Sequence, residues 1–302
     1  VIPSVFILFL DYALKIKRWT TMLRMSGAMV TETSCATFFF GSMALNNILP
    51  LRAGDFIRAF IFPVHLGISR TTSAASLILE RLIDLFFLML LLVISLSIIR
   101  LSTIPSWMME LIGIVGTMVI LAISILIVFN KIIARLCLFL SAAFEKRGFP
   151  RLAALNGHLY WLLKEIAAML HFDNLPKILL LSLGAWLAEA GYFGGMIYGF
   201  GLDVTPAVAV FVMSTAILST IVPSSPGFFG PFHLAAFAGI VLIGGTEAQA
   251  GGYALLTHFC LWFSTTLAGA IALFLNPELL TIYLSKRKKE QVIPERTNDS
   301  GF

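Results

Sequence analysis

Residues 75–99 read ASLILERLIDLFFLMLLLVISLSII and decide the fold. The segment exceeds the roughly 20 residues that cross about 30 Å of hydrocarbon as a helix. Its charged residues are Glu80, Arg81 and Asp84. Lipid offers no partner to a backbone polar group, so a spanning segment must be a helix or part of a closed barrel. The sequence lacks the alternating strands of about 10 residues that a barrel needs. We therefore predict an all-α polytopic membrane protein.

The composition of the whole chain points to the same class. Hydrophobic residues make up 59%, charged residues 12%, and the mean hydropathy is +0.94. Too few polar groups remain to coat a water-soluble domain. We expect a multi-pass protein of the cell membrane with no nucleic-acid partner. The other apolar segments are residues 2–19, 33–49, 108–129, 176–200, 206–222, 231–243 and 252–274.

One stretch of the chain is too charged to span a membrane. Residues 131–173 read as amphipathic helices lying on the cytoplasmic membrane surface. We predict a single transmembrane domain over residues 1–284, followed by a polar cytoplasmic tail over 285–302. Within that domain, residues 1–100 form a first repeat, 101–173 an extra span and connector, and 174–276 a second repeat.

The distribution of Lys and Arg predicts the orientation in the membrane. Basic residues such as Lys15, Lys17 and Arg18 flank the early segments, whereas none occurs between Lys177 and Lys286. Basic residues near span ends are retained on the cytoplasmic side. We therefore expect the carboxyl terminus, with its basic run over residues 286–289, in the cytoplasm.

Two apolar segments are interrupted by Pro and Gly at corresponding places in the two halves. One offset pairs Pro50 with Pro223 and Gly54 with Gly227. Basic residues flank only the first interruption, so the two should open to opposite faces of the membrane. This pattern predicts an inverted-topology repeat with two interrupted, re-entrant helical hairpins and a binding site near the midplane. The alternative is that Pro and Gly merely kink helices that span fully.

Four short stretches resemble the lysylphosphatidylglycerol synthase transmembrane family, which includes the flippase domain of the bacterial multiple peptide resistance factor. The resemblance covers nearly the whole chain and implies a lipid-translocating module. The stretches are Arg18-Trp19, residues 46–55 (NNILPLRAGD) with Arg58, residues 80–84 (ERLID) and residues 223–230 (PSSPGFFG).

The sequence departs from this family's pattern in two places. Many members carry Glu where this chain has His233, so a carboxylate role at that position is excluded. The synthases of the family also carry a large soluble domain after the membrane region, whereas a short tail follows Phe274 here. We expect neither synthase activity nor another enzymatic activity.

Charged residues inside the apolar segments are the first candidates for a site, because each costs a few kcal/mol unless paired or wetted. Glu80 and Asp84 share one helix face and would repel each other unless a cation lies between them. Arg81 can pair with Asp84 locally. Arg52 and Arg58 could pair with Glu80 or bind a lipid phosphate. Asp55 belongs to the same candidate set.

The interruptions supply polar groups and exposed backbone as further candidates. Gly227 and Gly230 would let the backbone of the second interruption, which includes Pro223, approach a head group closely. A helix that begins just after them would present unpaired N–H groups to a phosphate. Asn46 and Asn47 either bind the head group or bridge helices, and bridging is the preferred interpretation.

Glu189 lies in the middle of an apolar segment without a basic neighbour in sequence. We expect it to face the protein interior, where a proton-linked role is one interpretation. His233 and His258 would extend such a relay, because histidine titrates near neutral pH. A histidine that simply satisfies a hydrogen bond is the alternative.

The preferred function is a lipid flippase or lipid transporter for phosphate-bearing membrane lipids. The alternative is a membrane scaffold or accessory subunit for a separate lipid or cell-envelope synthase, and a lipid-modifying enzyme is less favoured. The sequence shows no nucleophile and base pattern, metal-ligand spacing or nucleotide loop. We therefore expect no cofactor and no metal. The chain could also form a homo-oligomer.

Overall fold

The computed structural model describes residues 2–99, 106–171, 173–221 and 225–276. Helix accounts for 86% of the structure, and these residues include no strand. The predicted all-α class is therefore confirmed. The helices are α1 (Ile2–Met25), α2 (Glu32–Ile48), α3 (Ala53–Phe60), α4 (Pro63–Leu66), α5 (Arg70–Ile99), α6 (Ser106–Lys146), α7 (Pro150–Met169), α8 (Leu175–Gly199), α9 (Pro206–Ser219), α10 (Pro231–Leu242) and α11 (Glu247–Leu275).

Three of these helices, α5, α8 and α11, are long and apolar enough to cross a membrane. The two arms of α6 would make a fourth span if they act as one, since the helix bends by 65° between Ile112–Leu126 and Val128–Lys146. These counts rest on length and composition within the described residues. They support a multi-pass membrane protein, as predicted.

Helix α1 differs from its prediction in length and in the place of its charges. It continues to Met25 instead of ending near Trp19, and Arg18 is only 1% exposed. The spacing of Asp11, Lys15 and Arg18 puts all three on one helix face, which turns into the protein. The interpretation of Lys15 and Arg18 as charges flanking a span is therefore wrong, whereas Lys17 between them is exposed.

The predicted change from a span ending at residue 129 to a surface connector lies next to the 65° bend between Leu126 and Val128. Helix α6 runs through this boundary to Lys146, because no Pro or Gly occurs between Gly116 and Gly148 to end it. Its second arm and α7 form a helical hairpin. The charges of this region, such as Lys131, Arg135 and Arg151, are exposed, as an amphipathic pair requires.

Two interruptions separate α2 from α3 and α9 from α10. We call residues 49–52 the first break, and the described residues between α9 and α10, which are 220, 221 and 225–230, the second break. Each contains a short 3₁₀ turn that starts at a proline, Pro50–Arg52 and Pro226–Phe228. Helix α3 then packs back on α2 and α10 packs back on α9, so each break is the tip of a helical hairpin.

The predicted one-to-one pairing of the breaks does not hold at residue level. Pro50 and Pro226 occupy equivalent places at the start of the two turns. Gly54 lies in α3, whereas Gly227 lies within the second turn. The second break is longer, which a constant offset cannot accommodate. Pro223 lies outside the described residues.

The backbone of both breaks adopts an unfavourable conformation. Leu51, Arg52 and Phe228 have φ values of 58°, 53° and 63°, and they are the non-glycine residues with positive φ in the described chain. The left-handed region costs an L-residue roughly 1–2 kcal/mol. Packing on both sides of each break must offset this strain.

The hairpins are packed tightly through small residues. A Cβ atom at Gly54 would overlap the Ser42 carbonyl oxygen and contact Asn46, so only glycine lets α3 lie this close to α2. Gly269 plays the same part between α11 and α2. Close approach through small residues is the usual way in which membrane helices associate.

Three of the main helix contacts are symmetric with respect to the two halves of the chain. Helices α1 and α8 pack against each other, α2 packs against α11, and α5 packs against α9. Exchanging α1 with α8, α2 with α9 and α5 with α11 leaves these three contacts unchanged. The two hairpins meet where the first 3₁₀ turn contacts the second.

Two glycine-to-alanine changes in the same helix test this packing. In α11, a Cβ at Gly269 would overlap the Phe40 carbonyl and the Ala44 side chain, whereas one at Gly251 has no neighbour within 4 Å. We expect Gly269→Ala to lower the free energy of unfolding by about 1–3 kcal/mol through overpacking. Gly251→Ala should be neutral or stabilising, because alanine favours helix by about 1 kcal/mol. Thermal unfolding in detergent measures both, and equal melting temperatures would contradict the close α2–α11 contact.

Candidate functional site

A cavity of about 170 Å³ lies between α1, α2, α5, α8 and α11 and reaches both breaks. Its wall combines aromatic side chains, among them Tyr12, Trp186 and Trp262, with charged ones. We call the following ten residues the charged cluster, since each lines the cavity or pairs with a residue around it: Asp11, Lys15, Arg18, Arg52, Asp55, Arg58, Glu80, Arg81, Asp84 and Glu189.

Arg18 connects α1 to α5 and α8. Its Nη1 atom donates to Asp84 Oδ1 at 2.6 Å and to the Ser182 hydroxyl at 3.0 Å. Trp19, the next residue, donates from its indole nitrogen to the Ser76 hydroxyl at 3.0 Å. The Arg18-Trp19 pair therefore fixes α1 against α5.

Arg58 and Glu80 form the most deeply buried ion pair of the charged cluster. Arg58 Nη2 lies 2.9 Å from Glu80 Oε1, and the side chains are 2% and 4% exposed. The guanidinium also lies over the Trp19 ring at 5.1 Å. This geometry matches the interpretation of an ion-pair lock that holds the interrupted segment against α5. Arg58 is not left free to bind a phosphate.

Arg81 lies between three carboxylates. Its guanidinium is 3.1 Å from Asp55, 3.8 Å from Glu80 and 3.9 Å from Asp84. Arg81 is thus a cation between Glu80 and Asp84, which would otherwise repel each other. The nearest partner, however, is Asp55 in α3 and not Asp84. Asn46 fixes Asp55, since its amide donates to the carboxylate at 3.0 Å and accepts from the Asp55 backbone N–H at 3.1 Å.

Glu189 faces the interior, as expected, and has a basic partner from a distant part of the chain. Lys15 Nζ lies 2.7 Å from Glu189 and 3.0 Å from Asp11. The ammonium also lies over the Trp186 ring, 4.9 Å from its centroid. One cation thus serves two carboxylates.

Arg52 is the exception among the basic residues of the charged cluster. Its Nη2 atom donates to the Thr220 carbonyl at 3.0 Å and to the Thr220 hydroxyl at 3.1 Å. Its guanidinium lies 5.0 Å from the Phe228 ring centroid. Among the described residues, no carboxylate lies within 4.0 Å of it. Arg52 joins the two breaks and lines the cavity without an acidic partner.

Asn47 bridges helices, as the preferred interpretation proposed. Its amide nitrogen donates to the hydroxyls of Thr265 and Thr266 at 2.9 and 2.8 Å, which ties the end of α2 to α11. Gly227 packs beside this bridge, where a Cβ would lie 3.2 Å from the Asn47 carbonyl oxygen.

The histidines form a pair at the edge of the cavity. The ring centroids of His233 and His258 are 4.5 Å apart, and His258 lines the cavity while His233 does not. Gly230 has a φ of 102° and precedes Pro231, the first residue of α10. The backbone there supports a helix start, and no atom lies within 4 Å of a Cβ at Gly230.

Sequence reasoning missed part of the cavity wall. Lys15 and Arg18 carried a usable signal, because Asp11, Lys15 and Arg18 share one face of an otherwise apolar helix. Their interpretation as flanking charges hid that signal. Trp186 and Trp262 also line the cavity, but nothing in their local sequence distinguishes them from packing residues.

The Arg58–Glu80 lock can be tested by a double-mutant cycle. Either Arg58→Gln or Glu80→Gln leaves one buried charge without its partner, so we expect each to cost about 3–5 kcal/mol of stability. The double variant should cost less than the sum of the single losses.

The matched control is the pair Arg24 and Glu32, whose atoms are 4.0 Å apart and whose side chains are 50% and 55% exposed. Exposed pairs contribute roughly 0–1 kcal/mol. Thermal unfolding followed by tryptophan fluorescence would report both cycles. Equal coupling energies for the two pairs would contradict the lock.

Comparison with known proteins identifies the family. The family model described as lysylphosphatidylglycerol synthase TM region matches residues 1–269. No match was found among curated proteins or among solved structures. Since the matched region covers most of the chain, the protein belongs to the lysylphosphatidylglycerol synthase TM region family.

Proposed function

We propose that the protein moves a phosphate-bearing lipid between the two leaflets of the cell membrane, with the central cavity receiving the head group. The family supports a membrane and lipid-related role. The observation that carries the proposal is Arg52, a cavity-lining cation with no carboxylate within 4.0 Å in the described part of the chain.

The surroundings of Arg52 suit a phosphate. Its two hydrogen bonds to Thr220 use only Nη2, and a guanidinium has five N–H donors. The planar fork matches phosphate geometry, and an aromatic neighbour such as Phe228 holds it in place. The four other basic residues of the charged cluster are occupied by carboxylates. A lipid phosphate would supply the acidic partner that Arg52 lacks.

We further propose that the two hairpins enter the membrane from opposite faces as an inverted repeat. Helices α9 and α10 have 14 and 12 residues. At 1.5 Å per residue they reach about 21 and 18 Å, short of the roughly 30 Å of a hydrocarbon core. The exchange pattern of α1–α8, α2–α11 and α5–α9 contacts supports the same arrangement. The cavity would then lie near the midplane, where such repeats bind their substrates.

Several related predictions stay predictions. They are the cytoplasmic carboxyl terminus, a homo-oligomer, a separate lipid synthase as partner and the absence of enzymatic activity.

The strained backbone of both breaks favours transport over a passive scaffold. Strain of about 1–3 kcal/mol per residue is typical of segments that switch conformation.

Purified protein in liposomes should accelerate exchange of fluorescent phospholipid between leaflets, measured by reduction of the outer-leaflet label. Arg52→Gln should reduce the rate at least about tenfold, because a charge-assisted hydrogen bond contributes roughly 1.5–3 kcal/mol. Arg52→Lys keeps the positive charge but loses the planar guanidinium fork. Its exchange rate should therefore lie between the rates of the parent protein and of Arg52→Gln.

Arg151→Gln is the matched control, since Arg151 is exposed on α7 and does not line the cavity. Each variant is tested only after its melting temperature is compared with the parent protein. Equal exchange by a folded Arg52→Gln protein would reject the site. No exchange of any phospholipid by the parent protein would reject transport and favour the accessory role.

A further inference from the structure

The charges around the cavity balance, but they are not evenly distributed. The charged cluster contains five basic and five acidic residues. Three cations, Arg18, Arg58 and Arg81, together contact three carboxylates, Asp55, Glu80 and Asp84. Lys15 instead forms ion pairs with both Asp11 and Glu189. Arg52 forms no ion pair with a carboxylate among the described residues. When both of its carboxylates are ionised, the Asp11–Lys15–Glu189 triad therefore carries one excess negative charge, which offsets the excess positive charge on Arg52.

Arrival of a lipid phosphate changes this balance. A phosphodiester carries one negative charge, so binding at Arg52 would satisfy the excess positive charge. The triad would then hold a negative charge without compensation inside the apolar bundle, where a lone charge is expensive. A proton bound to one of its carboxylates would restore neutrality.

The triad is built to hold such a proton. Asp11 is 0% exposed, and its Oδ1 atom has no hydrogen-bond partner among the described residues, while Oδ2 accepts from Lys15. An ionised carboxylate oxygen without a donor is costly when buried, and the neutral acid is less so. Glu189 lines the cavity, so the triad is in contact with it.

We infer that the Asp11–Lys15–Glu189 triad is a proton-binding site that takes up one proton when a lipid phosphate binds at Arg52. The proton comes from the buffer acid in solution, which is left as its conjugate base, and it forms an O–H bond on one of the two carboxylates. The inference rests on the proposed function to the extent that a phosphate lipid must enter the cavity. It deepens that function, because a proton gradient could then drive the lipid.

Other groups around the same cavity are potential rivals for the proton. The charged and titratable residues that line it, besides Lys15 and Glu189, are Tyr12 and Arg18 of α1, Arg52 of the first break, Glu80, Arg81 and Asp84 of α5, and His258 of α11. Glu80 and Asp84 lie 2.9 Å and 2.6 Å from an arginine nitrogen. His258 is therefore the rival that the experiment must separate.

Linked proton uptake can be measured without any transport. Calorimetric titration of the detergent-solubilised full chain with short-chain phosphatidylglycerol, in two buffers of different ionisation enthalpy, gives the protons taken up per lipid bound. We expect about one proton for the parent protein. Because the complex holds the extra proton, affinity should weaken as pH rises, by up to about tenfold per pH unit.

Neutral variants assign the proton to its site. In Glu189→Gln the triad carries no excess charge, so proton uptake and the pH dependence of affinity should disappear. Asp11→Asn should also abolish proton uptake and the pH dependence of affinity. The same result from both variants would show that misfolding of one of them is not the cause. Short-chain diacylglycerol, which lacks phosphate, should cause no uptake in any protein.

Three outcomes would overturn the inference: lipid binding without proton uptake in the parent protein, no binding of the lipid at all, or uptake that persists in both triad variants and disappears in His258→Gln. Leaflet exchange in liposomes separates this inference from the proposed function. Exchange without linked uptake would reject the proton site and leave transport standing. Linked uptake without exchange would reject transport and leave the site.

Discussion

Charge compensation inside an apolar helix bundle is the constraint on which this structure depends. Ten charged side chains gather between helices whose other residues are mostly hydrophobic. Each would be prohibitive alone, and together they are acceptable because most meet a partner on another helix. The Arg18–Asp84 and Arg58–Glu80 pairs fix α1 and α3 against α5. The positions of the first hairpin and of α1 therefore follow from electrostatics as much as from packing.

The helices could be predicted from sequence because lipid leaves the backbone few options. Apolar length, with Pro and Gly as boundaries, predicted the start of α9 at Pro206 and of α10 at Pro231. The failures have physical causes. Helix α1 carries charges that resemble flanking residues until their partners are known. The second break is longer than the first, so an alignment at constant offset could not reproduce it.

The sequence predicted many of the charged residues that line the candidate site, but it did not predict which of them form ion pairs with each other. Arg52, Glu80, Arg81, Asp84 and Glu189 were selected because charges in apolar segments are unusual, and all five line the cavity. Their partners could not be selected, since pairs such as Lys15–Glu189 join residues far apart in the chain. Only the fold separates Arg58, which is paired with Glu80, from Arg52, which has no carboxylate within 4.0 Å in the described part of the chain. That distinction turns a group of charges into a specific hypothesis.

The Lys15–Glu189 pair has a consequence for biogenesis. The two residues are 174 positions apart, so α1 is made long before the carboxylate of α8 exists. At about 5–20 residues per second, the ribosome takes roughly 10–35 s to supply that partner. Asp11, one helical turn from Lys15, is available at once and lies 3.0 Å from it in the finished protein. Asp11 can neutralise the Lys15 ammonium until Glu189 has been synthesised. During that time α1 does not expose an unpaired charge to lipid.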